Sequence, residues 1–471
     1  MNYATVSPAQ IESFIQICGF SNVITQESLR RNYDHDETED HHFLPDVVLK
    51  PRAAKEISEI LKLCNEALIA VTPRGGGTSL SGGALPIKGG VVISMERFNQ
   101  ILDIDTLNLQ VTVEPGVITE TLQNEVKSLG LFYPPDPSSR GTCFIGGNLA
   151  HNSGGPKAVK YGVTRDYVLN MEIVTPTGEI TWTGANVAKN STGYNLTQLM
   201  CGSEGTLGII TKIVLKLRPY PPFDVLMLAP FADLETACKA ISAIYLAGIT
   251  PSGMELIDHL SAKLTQHYIE ELSGTKVEIP IQDDIGAYLL IELDGNNLDT
   301  LYAEAEKISL VLGDFTREEI LFADSAEQKE NLWKLRRQIS PAVNAFTLTK
   351  AEDVVVPRGN LPQLVQFIYQ TGLEYGYRSV CFGHAGDGNL HINIMKETLS
   401  ESYWNVEVNE SIGKIFQKVV DLGGTLSGEH GIGIAKKPYM HLAVSPTQLD
   451  LMRGIKKVFD PNNILNPGKI F

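Results

Sequence analysis

Cysteine is sparse in this sequence and never paired. The six cysteines (Cys18, Cys64, Cys143, Cys201, Cys238 and Cys381) form no Cys-x-x-Cys, so neither an iron–sulfur cluster nor a disulfide framework is legible, and a reducing compartment fits best. Positive charge is short as well. With 39 Lys+Arg against 55 Asp+Glu the net charge is −16, and no run of Lys or Arg concentrates the cations, which excludes a general nucleic-acid binder. No apolar run approaches the roughly 18 residues of a membrane span. The opening MNYATVSPAQIESF has neither the basic end nor the apolar stretch of a secretory signal. The expectation is a soluble, cytoplasmic protein, at most peripheral to the inner face of a membrane.

Disorder is excluded by the balance that is present: 43 % hydrophobic and 20 % charged residues in a 471-residue chain. At roughly 150 residues per domain that length allows about three units, or two large ones. Residues 52–66 place Ala53, Ile57, Ile60, Leu61 and Cys64 on one helical face, and LIAVTP after them reads as a strand. Further runs at 90–95, 109–114, 171–175, 179–182 and 208–217 read as strands, and 117–129 as a helix. Arg218-Pro219-Tyr220-Pro221-Pro222 breaks any periodic element and marks a domain boundary. Beyond it, strand-like VLMLAPF, GMELID and AYLLIELDG alternate with helical 233–247, 297–312 and a long amphipathic 325–348, a second α+β layer. The tract DHDETEDHH at 34–42 reads as a solvated loop in preference to a metal-binding segment.

Three glycine-rich loops dominate the first half. Pro73-Arg74-Gly75-Gly76-Gly77-Thr78-Ser79-Leu80-Ser81-Gly82-Gly83 follows a strand directly, and glycines there let backbone N–H groups converge while hydroxyls add donors. It is not the nicotinamide fingerprint, which would need glycine at Leu80, and it lacks the Gly-Lys-Ser/Thr of a nucleotide hydrolase. PPDPSS at 134–139 leads to Gly146-Gly147-Asn148 and Asn152-Ser153-Gly154-Gly155, and Gly202-Ser203-Glu204-Gly205-Thr206 comes later. Three such loops in one domain point to an extended ligand lying against backbone.

In the second half, GHAGDGNLHIN at 383–393 carries His384 and His391, and SGEHGIG at 427–433 carries Glu429 and His430. If 389–395 is a strand, Asn389, His391 and Asn393 share one side, and a tight glycine turn returns His384 beside them. Two imidazoles and a carboxylate suit a borderline divalent ion with open positions. Two histidines seven apart are otherwise ordinary structural residues; the glycines around them and the later Glu-His pair favour the metal.

These runs, with KYGVTRDYVLNMEIVTPTGE and CGSEGTLGIITKIVLKLRP, resemble the vanillyl-alcohol oxidase/p-cresol methylhydroxylase superfamily, and within it the D-2-hydroxy-acid dehydrogenases: D-lactate dehydrogenase, the glycolate oxidase flavin subunit and D-2-hydroxyglutarate dehydrogenase. The resemblance implies an α+β architecture: a p-cresol methylhydroxylase-type FAD-binding domain at 1–220, an α+β (ferredoxin-like) FAD-linked oxidase cap domain at 221–425, and a segment at 426–471 returning to the FAD domain. It places the FAD pyrophosphate on Arg74, Gly75, Gly76, Gly77, Thr78, Ser79, Ser81 and Gly82. The rest of the flavin nucleotide falls on Pro135, Ser139, Gly146, Gly147, Asn152, Ser153, Gly205, Ile210 and Asn466. Thr78 stands where some relatives bear a flavin-linked histidine, so the FAD is expected to be non-covalent.

The resemblance further makes His384, His391 and Glu429 ligands of a divalent metal, usually zinc, Asn393 a substrate contact and His430 the base. It puts a substrate carboxylate on Arg336, with Ser340, one helical turn on, as its neighbour. The implied reaction takes a D-2-hydroxy acid to the 2-keto acid, the Cα hydrogen leaving as hydride to flavin N5. In the D-2-hydroxyglutarate enzymes a further substrate lysine precedes a proline by six; here Lys350 lies seven before Pro357 and Ala351 occupies the six position, which favours D-lactate or glycolate. The alternatives are D-2-hydroxyglutarate oxidation, a non-catalytic FAD electron-transfer subunit, or metal-dependent phosphoester hydrolysis. The expected partners are a small anionic 2-hydroxy acid and an electron acceptor: a quinone, cytochrome, electron-transfer flavoprotein or iron–sulfur subunit. A homodimer is the assembly to test.

Overall fold

The helix expected over 52–66 forms as Ala54–Ala67 and buries Ile57, Ile60, Leu61 and Cys64, with Ala53 at its N-cap. Full burial of each such aliphatic side chain contributes about 1.5–3 kcal/mol. The structure is a computed structural model that describes residues 2–38, 41–274, 281–323 and 325–471. The chain falls into two compact units, one made of Met1–Gly154, Val163–Tyr220 and Glu429–Phe471, the other of Gly155–Gly162 and Pro221–Gly428.

In the first unit, Val47–Leu49, Val91–Ser94 and Val71–Arg74 pair in parallel, with Val23–Ile24 antiparallel at one edge. Parallel pairing needs both faces covered, and Val47–Leu49 and Val91–Ser94 are buried along their whole length. Ile57, Ile60 and Leu61 pack on them together with Phe14 and, from the far end of the chain, Ile464 and Leu465. That late segment also runs beside Val71, whose N–H donates to Ile464 O at 2.8 Å while Asn466 N–H donates to Val71 O at 2.7 Å. A second, antiparallel sheet has the order Ile101–Asp105, Gln110–Val113, Ile209–Lys216, Val168–Val174, Ile180–Trp182.

The second unit is built on a seven-stranded antiparallel sheet: Leu321–Phe322, Phe223–Phe231, Ala287–Gly295, Gly253–Asp258, Ser379–Gly383, Asn389–Met395, Thr349–Val355. Helix Leu234–Leu246 starts on Asp233, whose carboxylate accepts from Thr236 N–H at 2.7 Å, an N-cap. The amphipathic stretch 325–348 does not form one helix. It splits into Ala326–Arg337 and Ile339–Phe346 at Gln338, because Pro341 offers no N–H and its ring crowds the carbonyl four residues back. Leu332 and Leu335 of the first helix and Ile339 and Val343 of the second fill one core with Leu226, Leu290 and Phe382 of the sheet. Among the described residues no helix is long and apolar enough to cross a membrane.

Candidate active site

In the first unit, strand Val71–Arg74 delivers the first glycine loop. Among the described residues, the N–H groups of Gly75, Gly76, Gly77, Thr78, Ser79 and Leu80 donate to no group of the chain. Six successive amides without acceptors in the chain, in a half-exposed loop, are free to donate to water or to an anion. Arg74 lies buried beneath them, its Nη1 donating to His35 O at 2.8 Å, and burial shifts its pKa downward. Gly77 has φ +76°, and a Cβ there would lie 2.9 Å from Arg74 Cζ, so only glycine lets the loop cross over the guanidinium. The loop is set from below by Ser79 Oγ, which accepts from Gly83 N–H at 3.1 Å, and by Thr38, which donates to Ser79 O at 3.2 Å.

The second loop meets the first backbone to backbone. A Cβ on Gly75 would lie 3.7 Å from Gly147 Cα, whereas one on Gly147 would meet nothing within 4 Å. Gly146 donates to Pro115 O at 2.8 Å, and Pro135 is buried with its carbonyl held by Gln123. Asn152, at φ +56°, spends its Oδ1 on Arg165 N–H at 2.9 Å, and Ser153 O accepts from Thr164. In the third loop Gly205 packs on Pro73, and Glu204 is buried at φ +50° with its carboxylate accepting from Ile432 and Gly433 N–H, both at 2.7 Å. Asn466 joins the first and third loops: its Nδ2 donates to Gly83 O at 3.0 Å and Glu204 O at 2.7 Å. Lys469 donates to Leu85 O at 2.6 Å; burial pulls its pKa down to about 8. In the same unit Ser81 Oγ donates to His430 O at 2.9 Å, and Glu429 accepts from Gly154 N–H at 3.2 Å. Ile210 is half-buried on the strand after the third loop.

In the second unit, strand Asn389–Met395 forms where expected, and its register places Ala351, Asp353 and Val355 opposite Asn393, His391 and Asn389, on one face of the sheet. His384, on the turn after Ser379–Gly383, meets His391 edge-on with ring centroids 5.3 Å apart. His384 is held by, and His391 faces, a carboxylate that sequence reasoning missed. Glu255, fully buried, accepts from His384 Nδ1 at 2.9 Å and from Arg336 Nε at 2.7 Å. Burial alone would raise its pKa; His384 and Arg336 outweigh burial and lower it. An ionised Glu255 only accepts, so His384 carries a proton on Nδ1 and turns Nε2 away from that carboxylate. Asp353 is equally buried, accepts from Asn389 Nδ2 at 2.6 Å, Ser427 Oγ at 2.8 Å and Gly428 N–H at 2.9 Å, and lies 3.8 Å from His391 Nδ1.

Arg336 thus has its Nε committed, its guanidinium over the Phe382 ring at 5.1 Å, and a buried Nη2 with no partner among the described residues. An orphaned guanidinium N–H is a costly group to bury unless something else binds it. Ser340 does not join it: Ser340 is exposed on the following helix, and the helical turn that would have paired the two is broken at Gln338. Lys350 lies opposite Ile394 on the other face of the sheet, where its Nζ donates to Asn409 Oδ1 at 2.7 Å and sits over Trp404. Glu39 and Asp40 of the acidic tract lie outside the described residues.

Two family models match: FAD binding domain over residues 45–184, and FAD linked oxidases, C-terminal domain, over 220–470. Glycolate oxidase subunit GlcD of Bacillus subtilis is 40 % identical over 461 residues, covering 98 % of this chain and 96 % of that protein. D-lactate dehydrogenase of Anaerostipes hadrus is 38 % identical, covering 99 % and 98 %, and D-2-hydroxyglutarate dehydrogenase of Stutzerimonas stutzeri is 32 % identical, covering 98 % and 99 %. Among solved structures, substrate-bound p-cresol methylhydroxylase matches with TM-score 0.79 at 16 % identity over 99 % of this chain and 97 % of that one. The isoeugenol complex of 4-ethylphenol oxidase from Gulosibacter chungangensis matches with TM-score 0.79 at 18 % identity, over 100 % and 98 %.

Proposed function

The chain belongs to the FAD-linked oxidase family, and from that premise we propose that it oxidises a small D-2-hydroxy acid, D-lactate or glycolate, to the 2-keto acid. The observation that carries the substrate class is the unpartnered, buried Arg336 Nη2 beside the His384–His391 pair. A guanidinium fork suits a carboxylate, and the imidazoles suit the metal that a 2-hydroxyl would meet.

The residues present fit both groups. Six acceptor-less amides over a buried arginine fit a pyrophosphate, and the empty space off Gly147 fits a group laid flat on backbone. In our reading Arg74, Gly75 to Ser79, Ser81 and Gly82 hold the pyrophosphate of a non-covalent FAD. Pro135, Ser139, Gly146, Gly147, Asn152, Ser153, Gly205, Ile210 and Asn466 line the rest. His384, His391 and Glu429 hold a divalent ion, taken to be zinc. When bound, FAD supplies the electron-pair acceptor and the ion a Lewis acid. Arg336 Nη2 grips the substrate carboxylate, and Glu255 keeps both that fork and His384 aimed. Asn393, on the His391 face, orients the substrate, and His430 takes the hydroxyl proton. Reoxidation falls to an outside acceptor of the quinone, cytochrome, electron-transfer flavoprotein or iron–sulfur class.

D-2-hydroxyglutarate is the competing substrate. The placement of Lys350 on the far sheet face, with Ala351 on the His391 face, supports a monocarboxylate instead. The test is dye reduction by the FAD-loaded protein with D- and L-2-hydroxy acids, with and without chelator. Reduction by D-lactate or glycolate, lost in Arg336→Ala, is expected. A protein that takes up no FAD, or that prefers D-2-hydroxyglutarate, overturns the reading.

A further inference from the structure

We infer that Asp34, His35 and His42 form a second divalent-cation site, on the segment that braces the glycine cradle and apart from the histidines of the proposed catalytic site. The three side chains offer ligand atoms that lie within 4.8 Å of one another. Both imidazoles turn Nδ1 onto one oxygen, Asp34 Oδ1, at 2.9 Å for His35 and 3.1 Å for His42. In a tetrahedral zinc site with metal–ligand bonds of about 2.0–2.1 Å, neighbouring ligand atoms lie about 3.3 Å apart. Two of the three donor–donor spacings therefore already stand near the edge length of such a tetrahedron, the third lies within 4.8 Å, and an ion replacing the two Nδ1 protons would draw the imidazoles together.

The framework is built rather than incidental. Phe43 N–H donates to Asp34 O at 2.7 Å, which holds His42 beside Asp34. Asp34 is buried and cannot swing away, while both imidazoles are largely exposed, so an ion reaches them from solvent and keeps water at its fourth position. Two imidazoles and one carboxylate select a borderline ion, Zn²⁺, Ni²⁺ or Cu²⁺, over Ca²⁺ or Mg²⁺. The same segment carries Asp36, which accepts from Ala84 N–H at 3.3 Å, and Thr38, which accepts from Gly82 N–H at 2.6 Å, so an ion there fastens a strap across the cradle's underside. No role assigned above uses His35 or His42.

The test is zinc titration by isothermal calorimetry of the FAD-loaded full chain, freed of bound metal with chelator and desalted. His42→Ala should weaken one class of zinc sites by at least about tenfold, the lower end of what even an outer-shell substitution costs, while leaving circular dichroism unchanged, since the His42 side chain is exposed. Asp34→Asn, which keeps the packing and removes the charge, should do the same. His391→Ala should leave this class untouched, which separates this site from the proposed catalytic one. A His42→Ala isotherm that superimposes on wild type, or zinc binding lost entirely in His391→Ala, overturns the inference.

Discussion

Glu255→Gln tests how one carboxylate holds two functional side chains. The wild-type carboxylate, fully buried, accepts from Arg336 Nε at 2.7 Å and His384 Nδ1 at 2.9 Å. Glutamine keeps a single acceptor oxygen, so one donor must face an NH₂ group. A hydrogen bond to a charged group contributes about 1.5–3 kcal/mol. Deleting one partner of a buried ion pair outright costs about 3–5 kcal/mol. Because glutamine preserves one of the two bonds, a destabilisation of about 3 kcal/mol is expected, read as a lower urea midpoint by circular dichroism of the FAD-loaded protein. The double variant Glu255→Gln/Arg336→Gln removes the stranded cation and should cost less than the two singles combined, by about 1–3 kcal/mol. Zinc affinity should fall about 10–100-fold, since an outer carboxylate no longer fixes the His384 tautomer. A single variant within about 0.5 kcal/mol of wild type, or strict additivity in the double, would refute the reasoning.

Gly77→Ala places a Cβ at φ +76° against the Arg74 guanidinium; the left-handed conformation alone costs about 1–2 kcal/mol, so FAD binding measured by fluorescence should be weakened about tenfold or more, with the fold intact. Lys469 is a base whose folded pKa, about 8, lies below its ordinary 10.5. Between those values the unfolded chain holds more protons, so stability should rise by about 3 kcal/mol from pH 8 to pH 10.5; Lys469→Met should flatten the rise, and an unchanged slope would exclude Lys469 as its source. All six cysteines are buried, and burial pushes the Cys18, Cys201 and Cys238 thiols up to about 12. A thiol reagent at pH 8 should label none in the native protein and all six in denaturant; rapid native labelling would contradict that burial.

Much of the site was legible because its residues are local in sequence. Asn389–Met395 alternates by the two-residue period, and the glycine loops announce themselves by composition. The carboxylates that aim the site were not legible. Glu255 sits in GMELID, where a glutamate inside a strand carries no signal, and its partners Arg336 and His384 are 81 and 129 residues away. Asp353 is hidden in the same way, on a strand whose facing residues are fixed only by register. Ser340 was misplaced for the opposite reason: hydrophobic periodicity runs through 325–348, and the break comes from Pro341, a backbone effect that side-chain patterning does not register. The clamp of Asn466 and Lys469 on loops nearly four hundred residues earlier is purely tertiary.

The late segment beside Val71 sets a schedule for birth on the ribosome. Ile464 and Leu465 belong to a core whose other members lie between Phe14 and Ile209, yet they emerge only after the whole second unit has been translated. At about 5–20 residues per second the interval from Tyr220 to Leu465 is roughly 10–50 s. Throughout it the nascent flavin-binding half waits with an unfilled seam, a natural point for a chaperone to hold it.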